Sequence, residues 1–329
     1  MSNIKRALRL AAGTAIAASM GVTGAYAQSI PDLNPNADPW DNFDLTEWAI
    51  DTPAEDDGGA SRTNEFDLVN GNLNVSDDED YFYTAPDGGM RFENRLGGYT
   101  TGDQIGNTDN GSFVRSELRE MLRDCPSGNG CASTRSERNN WALEGQPTGG
   151  DHAARGGRLL ASLRVNQVAT TGDRSQNLGA VIIGQIHAEE DEPLRIYYRK
   201  LPEWDRGCMY LAHEIREGDD EEIAVLGGSD CFSDNPREPG NGIELNELFS
   251  YRVIQQGNRI IFELYRGDLD EDRDRKRTIN MRTRDSGYLD EADEWMYFKA
   301  GAYTGNDTGN SNDGDIVTFY FLNNPHPGR

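Results

Sequence analysis

Beyond residue 27 the chain holds no apolar run long enough to cross a bilayer, which takes about 20 consecutive apolar residues in a helix. No long segment repeats apolar residues at helical spacing, which argues against a helical bundle. Positive charge is in short supply: 32 Lys and Arg stand against 57 Asp and Glu, a formal net charge of −25. A chain of that sign repels phosphate backbones and anionic lipid, so nucleic acid and membranes are excluded as partners. Cysteine is scarce, with Cys125, Cys131, Cys208 and Cys231 only. Neither neighbouring pair has the close spacing of a zinc site, so no metal centre is expected from them.

The first residues supply what the rest lacks. Lys5, Arg6 and Arg9 precede an apolar stretch from Leu10 to Val22, and Ala25-Tyr26-Ala27 follows. This is the pattern of a signal peptide cut after Ala27, and it implies a secreted or periplasmic protein. In that setting four cysteines imply two disulfides, and local pairing of Cys125 with Cys131 and of Cys208 with Cys231 is expected because each pair brackets a Gly-, Ser- or Asp-rich loop. Residues 28–38 are polar and proline-rich and read as a flexible lead-in, leaving 39–329 as a single catalytic domain. Acidic clusters at Asp77 to Asp80, Glu189 to Glu192, Asp219 to Glu222 and Asp268 to Asp274 read as solvated loops. In salty water, at about 0.5 M, screening acts within roughly 4 to 5 Å, so a local basic groove can work on an acidic protein.

Short alternating runs fill the domain, among them Val114 to Leu122, Leu159 to Val168, Ala180 to His187, Leu194 to Arg199, Tyr251 to Gln255, Arg259 to Tyr265, Trp295 to Tyr303 and Ile316 to Leu322. In one of them Leu159, Ala161, Leu163 and Val165 make an apolar face opposite Arg158, Ser162, Arg164 and Asn166. Gln256-Gly257-Asn258 marks a hairpin, and Ile243 to Leu248 reads as a helical turn. With 37 glycines between the runs, the fold expected is all-β, a jelly-roll sandwich of two antiparallel sheets. The functional surface would be a substrate groove across the concave sheet, suited to a linear chain.

Three remote segments carry chemistry on alternate positions. Arg115, Glu117 and Arg119 alternate with Ser116 and Leu118; Gln185 and His187 flank Ile186; Tyr297, Lys299 and Tyr303 alternate with Phe298, Ala300 and Ala302. In an extended strand each set shares one face. Guanidiniums, an amide, an imidazole, an ammonium and phenols are what is needed to hold an acidic sugar and move a proton on it. A uronate linked through O4 breaks by β-elimination once its carboxylate is neutralised, a base takes the C5 proton and an acid protonates O4. Arg115 or Arg119, with Gln185, suits the first task, and Glu117 would orient the arginines. His187 suits the second, and Tyr303 the third.

These residues carry a resemblance. Arg115-Ser116-Glu117-Leu118-Arg119, Gln185-Ile186-His187 and Tyr297-Phe298-Lys299-Ala300-Gly301-Ala302-Tyr303 resemble, in that order, the three marker strands of polysaccharide lyase family 7, the alginate lyases. Asn42-Phe43-Asp44-Leu45 and Tyr81-Phe82-Tyr83-Thr84 also resemble family segments. The resemblance implies a jelly roll acting on alginate, an acidic polysaccharide, as a monomer with no required cofactor. It implies Arg115, Gln185, His187 and Tyr303 as the catalytic set, with Arg119, Lys299, Glu117 and Tyr297 binding substrate. Ile186 resembles members that prefer guluronate-containing blocks. A structural cation among the acidic loops stays open.

Three rivals are weighed against this: a lyase on another polyuronate such as glucuronan, a non-catalytic acidic-polysaccharide-binding module, and a glycoside hydrolase. A hydrolase needs two carboxylates flanking the bond. Glu65-Phe66-Asp67 begins such a pattern, but Asn70 stands where the second glutamate belongs. Asp268, Asp270 and Asp272 mimic the start of a calcium loop, but Arg273 replaces the glycine it needs.

Overall fold

The computed structural model describes residues 29–101, 104–105, 113–123, 125, 130–216, 218–233, 235–306 and 308–329; the signal peptide lies outside them. Among the described residues fifteen strands form the continuous paths of the two large sheets. They are β1 (Trp48–Asp56), β2 (Gly59–Thr63), β3 (Phe82–Thr84), β4 (Met90–Glu93), β5 (Arg115–Glu120), β6 (Gly157–Gln167), β7 (Ala180–His187) and β8 (Leu194–Arg199). The series continues with β9 (Arg206–Glu214), β10 (Asp220–Leu226), β11 (Phe249–Gln256), β12 (Arg259–Arg266), β13 (Arg273–Asn280), β14 (Tyr297–Thr304) and β15 (Ile316–Asn323).

The larger sheet runs β10-β9-β8-β7-β14-β5-β1-β2, with the short strand Ile243–Glu244 also pairing with β9; the other runs β13-β12-β11-β6-β15-β4-β3. Every neighbouring pair in either path is antiparallel. The expected alternation sorts the side chains. Leu118, Ile183, Ile186, Phe298, Ala300 and Ala302 of the larger sheet meet Leu159, Ala161, Leu163, Phe249, Phe262 and Phe319 of the smaller in one buried core. Each fully buried large apolar side chain there contributes about 1.5 to 3 kcal/mol. The same alternation turns the marker residues of β5, β7 and β14 to the opposite, outer face.

Two interruptions of the regular ladder aim the site. Between Ile182 and Gly184 the β7–β14 register shifts, so that Ile182 faces Tyr303 while Gly184 faces Ala300. The Ile183 carbonyl freed by this bulge accepts a hydrogen bond from the Tyr251 hydroxyl at 3.0 Å, and a Cβ on Gly184 would collide with that hydroxyl. On β14, Gly301 has φ 157° and lies so close to the Ser116 carbonyl that a Cβ would not fit.

Several expectations change. β2, β9, β10 and β13 were not legible as strands. β10 and β13 are edge strands, where charge is tolerated and protects against unwanted pairing, so the acidic stretches at Asp219 to Glu222 and Asp268 to Asp274 are partly strand rather than only loop. Ile243 to Leu248 is not a helical turn: Ile243–Glu244 bridges to β9, and Asn246 takes a left-handed φ of 65°. The segment expected as a loose lead-in is fastened down: the Ile30 amide donates to Asp268 at 2.7 Å, Leu33 packs on the main core, and the Thr84 hydroxyl donates to the Ala37 carbonyl at 2.7 Å. The Gly257-Asn258 hairpin forms, pairing Gln256 with Arg259. Both local disulfides form, Cys125–Cys131 and Cys208–Cys231.

Candidate active site

The three marker strands are consecutive in the larger sheet, with β14 between β7 and β5. Tyr303 faces Arg115 and Lys299 faces Arg119 across one ladder, while Gln185 faces Lys299 and His187 faces Tyr297 across the other. Remote segments are thereby joined by backbone hydrogen bonds into one patch.

Its centre is an ionic knot. Glu117, fully buried, ion-pairs with the Lys299 ammonium, lies 3.6 Å from the Arg115 guanidinium and accepts from the Gln185 amide at 2.5 Å. Glu117, expected to bind substrate, has no exposed surface and holds two cations and an amide in place. Lys299 itself is 3 % exposed. Burial and the Arg115 charge hold its ammonium below the ordinary value, against the pull of Glu117 and Asp51.

Arg115 and Arg119 differ in a way the sequence left open. Arg119 lies over the Tyr297 ring at 4.0 Å and turns its donors inward, to the Glu120 and Thr134 carbonyls at 2.8 Å each and to Asn140 Oδ1 at 3.2 Å. Arg115 lies over the Tyr303 ring at 3.9 Å, and its buried Nε has no hydrogen-bond partner among the described residues. The Gln185 Oε1 is likewise unpartnered there. Buried polar atoms left unpaired are rare, and a water, an ion or a ligand can complete their bonding. Gln185, expected as a donor, thus offers its carbonyl oxygen, an acceptor suited to a sugar hydroxyl.

Tyr303 is buried beside Ile182 and Tyr197 in a second apolar cluster on the outer face. Burial pushes its phenol above the ordinary value, and Arg115 pulls it back only in part, so it rests as a protonated donor. His187 is stacked on Tyr297 at 4.8 Å with 13° between the rings. Its Nδ1 faces the Ala188 carbonyl at 2.6 Å and its Nε2 faces Glu192 Oε1 at 3.2 Å. Glu192, on the turn after β7, was not found from the sequence, where it stood as one more solvated acid. Only the closing of the β7–β8 hairpin brings it back onto the imidazole.

The same face extends sideways. Arg62 grips Asp51 through two bonds of 2.5 and 3.0 Å, and on the far side Arg195 ion-pairs with Asp220 and, at 3.5 Å, with Glu214. Glu65 and Asp67 lie on the helical turn Glu65–Val69, where Glu65 pairs with Arg123 at 2.5 Å; they do not form the strand pair of a hydrolase. Among the described residues no group of three or more His, Cys, Asp or Glu side chains is disposed to hold a metal ion.

The sequence profile described as Alginate lyase matches residues 43–326. The chain belongs to this family. An alginate lyase of Klebsiella pneumoniae is 39 % identical over 310 residues, 91 % of this chain and 94 % of the relative. The crystal structure of the alginate lyase from Klebsiella pneumoniae superposes with a TM-score of 0.76 at 37 % identity, covering 89 % of this chain and 99 % of that one. A family 7 alginate lyase in complex with product shares the fold at a TM-score of 0.60 and 22 % identity, covering 88 % and 99 %. The protein is accordingly a polysaccharide lyase of family 7 on a jelly-roll sandwich.

Proposed function

We propose that this lyase is exported and, as a monomer, cleaves alginate within the chain by β-elimination, with a preference for guluronate-containing blocks. The observation that carries the reading is the paired register of β5, β14 and β7, which puts Arg115, Gln185, His187, Lys299 and Tyr303 on one outer face. Arg115, its Nε without a hydrogen-bond partner among the described residues, neutralises the carboxylate of the reacting uronate, and Lys299 adds to the positive field. His187 takes the C5 proton; the C5–H electrons form the C4=C5 double bond as the C4–O4 bond breaks, and O4 leaves with the Tyr303 proton. His187 then releases its proton and Tyr303 regains one from solvent, so no water is consumed.

Internal cleavage is supported by cations spread along the face rather than gathered in a pit. From Arg62 on β2 to Arg195 on β8 there are five interstrand steps, about 24 Å at the usual spacing. Guluronate preference rests on chemistry: its C5 hydrogen and O4 leave on opposite sides, which suits two separate proton-transfer groups. Ile186 is fully buried in the core, so any influence it has on block preference passes through the backbone.

The purified mature chain, incubated separately with polyguluronate, polymannuronate and glucuronan, tests this. The expected result is ultraviolet absorbance from unsaturated ends, fastest on polyguluronate, with viscosity falling early. Binding of polymer without any absorbance would favour the binding module, and fastest cleavage of glucuronan would replace alginate as the substrate.

A further inference from the structure

The acid turned back onto His187 has no part in the chemistry above, yet its placement is specific. We propose that Glu192 is a positioning residue for His187: its carboxylate fixes the Nε2 side of the ring and steadies the imidazole once it carries the proton taken in the elimination. The inference rests on the lyase reading and deepens it.

The argument starts from donor and acceptor counting. Two oxygens face the ring, Ala188 O at Nδ1 and Glu192 Oε1 at Nε2. A neutral imidazole has one N–H and can donate to only one of them. The backbone carbonyl is fixed one residue away, so the Nδ1 hydrogen belongs there and Nε2 is the nitrogen that exchanges protons. Glu192 therefore meets the proton-exchanging nitrogen and stabilises the ring once it carries a proton.

Glu192 is itself held. Its backbone amide donates to Glu214 Oε2 at 3.0 Å, and the Glu214 amide donates to the Glu192 carbonyl at 3.3 Å. Burial pushes Glu192 up, but the hydrogen bond and charge of His187, with Arg195, outweigh it and keep the carboxyl well below the usual range. Glu214 goes the other way, pushed up to about 7 by burial and by its hydrogen bond to Glu192. The two adjoining acids are driven apart, Glu192 toward its ionised form beside His187 and Glu214 toward its protonated form.

The other charges around the pair are accounted for by element. On β8, Arg195 favours the ionised Glu192, and Asp220 of β10 partly cancels Arg195. On β14, Tyr297 stacks on the imidazole and the raised phenol of Tyr303 feels the Glu192 charge. From β5 come Arg115, which feels Glu192 as an anion, Glu117, paired with Lys299 of β14, and Arg119 over the Tyr297 ring. Tyr288, its phenol raised by burial, feels Asp191, Glu214, Glu192 and Glu294. Only Glu192 among these has a carboxylate in contact with His187.

Glu192→Gln, Glu192→Asp and Glu214→Gln test the assignment through pH profiles of kcat and kcat/KM. Removing the anion takes away the charge that favours the protonated ring, so the acid limb for Glu192→Gln should move toward acid. Its maximal kcat should fall roughly 10- to 100-fold, the scale of losing a histidine's outer partner, while KM changes little. Glu192→Asp should keep the wild-type limb and recover part of kcat, and Glu214→Gln, which copies a protonated acid, should stay near wild type below pH 7. An unmoved limb in Glu192→Gln, whether activity is kept or lost along with thermal stability, overturns the assignment. If the wild type forms no unsaturated ends on any polyuronate, the lyase reading fails by itself. Ring nitrogen chemical shifts of His187 without substrate then decide the inference: identical shifts in wild type and Glu192→Gln overturn it, and a change confined to Nε2 supports it.

Discussion

Two histidines in this protein make nearly the same bonds in opposite surroundings. His187 and His326 each present Nδ1 to a backbone carbonyl, Ala188 O at 2.6 Å and Gly156 O at 2.7 Å. Each presents Nε2 to a glutamate, Glu192 at 3.2 Å and Glu120 at 2.8 Å. The difference lies in what surrounds the acid. Glu120 is fully buried and also accepts from the Trp141 indole at 2.9 Å, the Phe298 amide at 3.0 Å and Asn324 at 2.7 Å. Its bonding capacity is filled, and the pair clamps the chain's end under the core. His187 and Glu192 keep 17 % and 22 % of their side-chain surface exposed. A histidine–carboxylate pair is thus sealed as a clamp where its acid is saturated and dry, and left within reach of a ligand where it is not, as the proposed role of His187 requires.

The largest separation between the two should come from alanine substitution. His187→Ala should lower kcat by about 10² to 10⁴, the usual worth of a general acid or base, with the melting temperature little changed. Tyr303→Phe should behave alike, and near-full elimination activity in that variant would remove Tyr303 from the mechanism. His326→Ala should do the reverse. Removing one partner of a buried ion pair costs about 3 to 5 kcal/mol, read by urea unfolding, whereas kcat of the molecules still folded should stay near wild type.

The pH dependence of that loss sharpens the contrast. Burial lowers the His326 imidazole, but Glu120 outweighs burial and raises it above the ordinary value. Its contribution to stability is therefore complete below the unfolded value of about 6.5 and fades as pH rises through the raised folded one. Glu120, raised by burial but lowered overall by His326 and its other donors, contributes fully above about 4.5 and loses its share as pH falls. The stability gap between wild type and His326→Ala should be widest from about pH 4.5 to 6.5 and narrow on both sides; a gap that grows steadily with pH would contradict the pairing. Trp141→Phe should give the smallest effect, about 1 to 3 kcal/mol from an unfilled acceptor, measured in the same unfolding experiment.

The sandwich and its working face were legible because alternation at period two is written directly into β5, β7 and β14, and burial of one face fixes their register. What stayed hidden depends on how the chain returns on itself. Glu192 sits in a run of acids with nothing to mark it until the hairpin closes, and His326 lies far in sequence from Glu120. The unequal fates of Arg115 and Arg119 follow from Thr134 and Asn140, residues of a loop with no periodic signal. β10 and β13 escaped notice because edge strands need no apolar face of their own.

Since β14 pairs with β7 on one side and β5 on the other, it acts as the common ruler of the proposed catalytic face. Sliding it by one residue would carry Lys299 into the oily interior and turn Phe298 toward water, undoing both ladders at once. Such a face cannot be shifted strand by strand; the turns that rim it, where Glu192 stands, are not bound by its ladders.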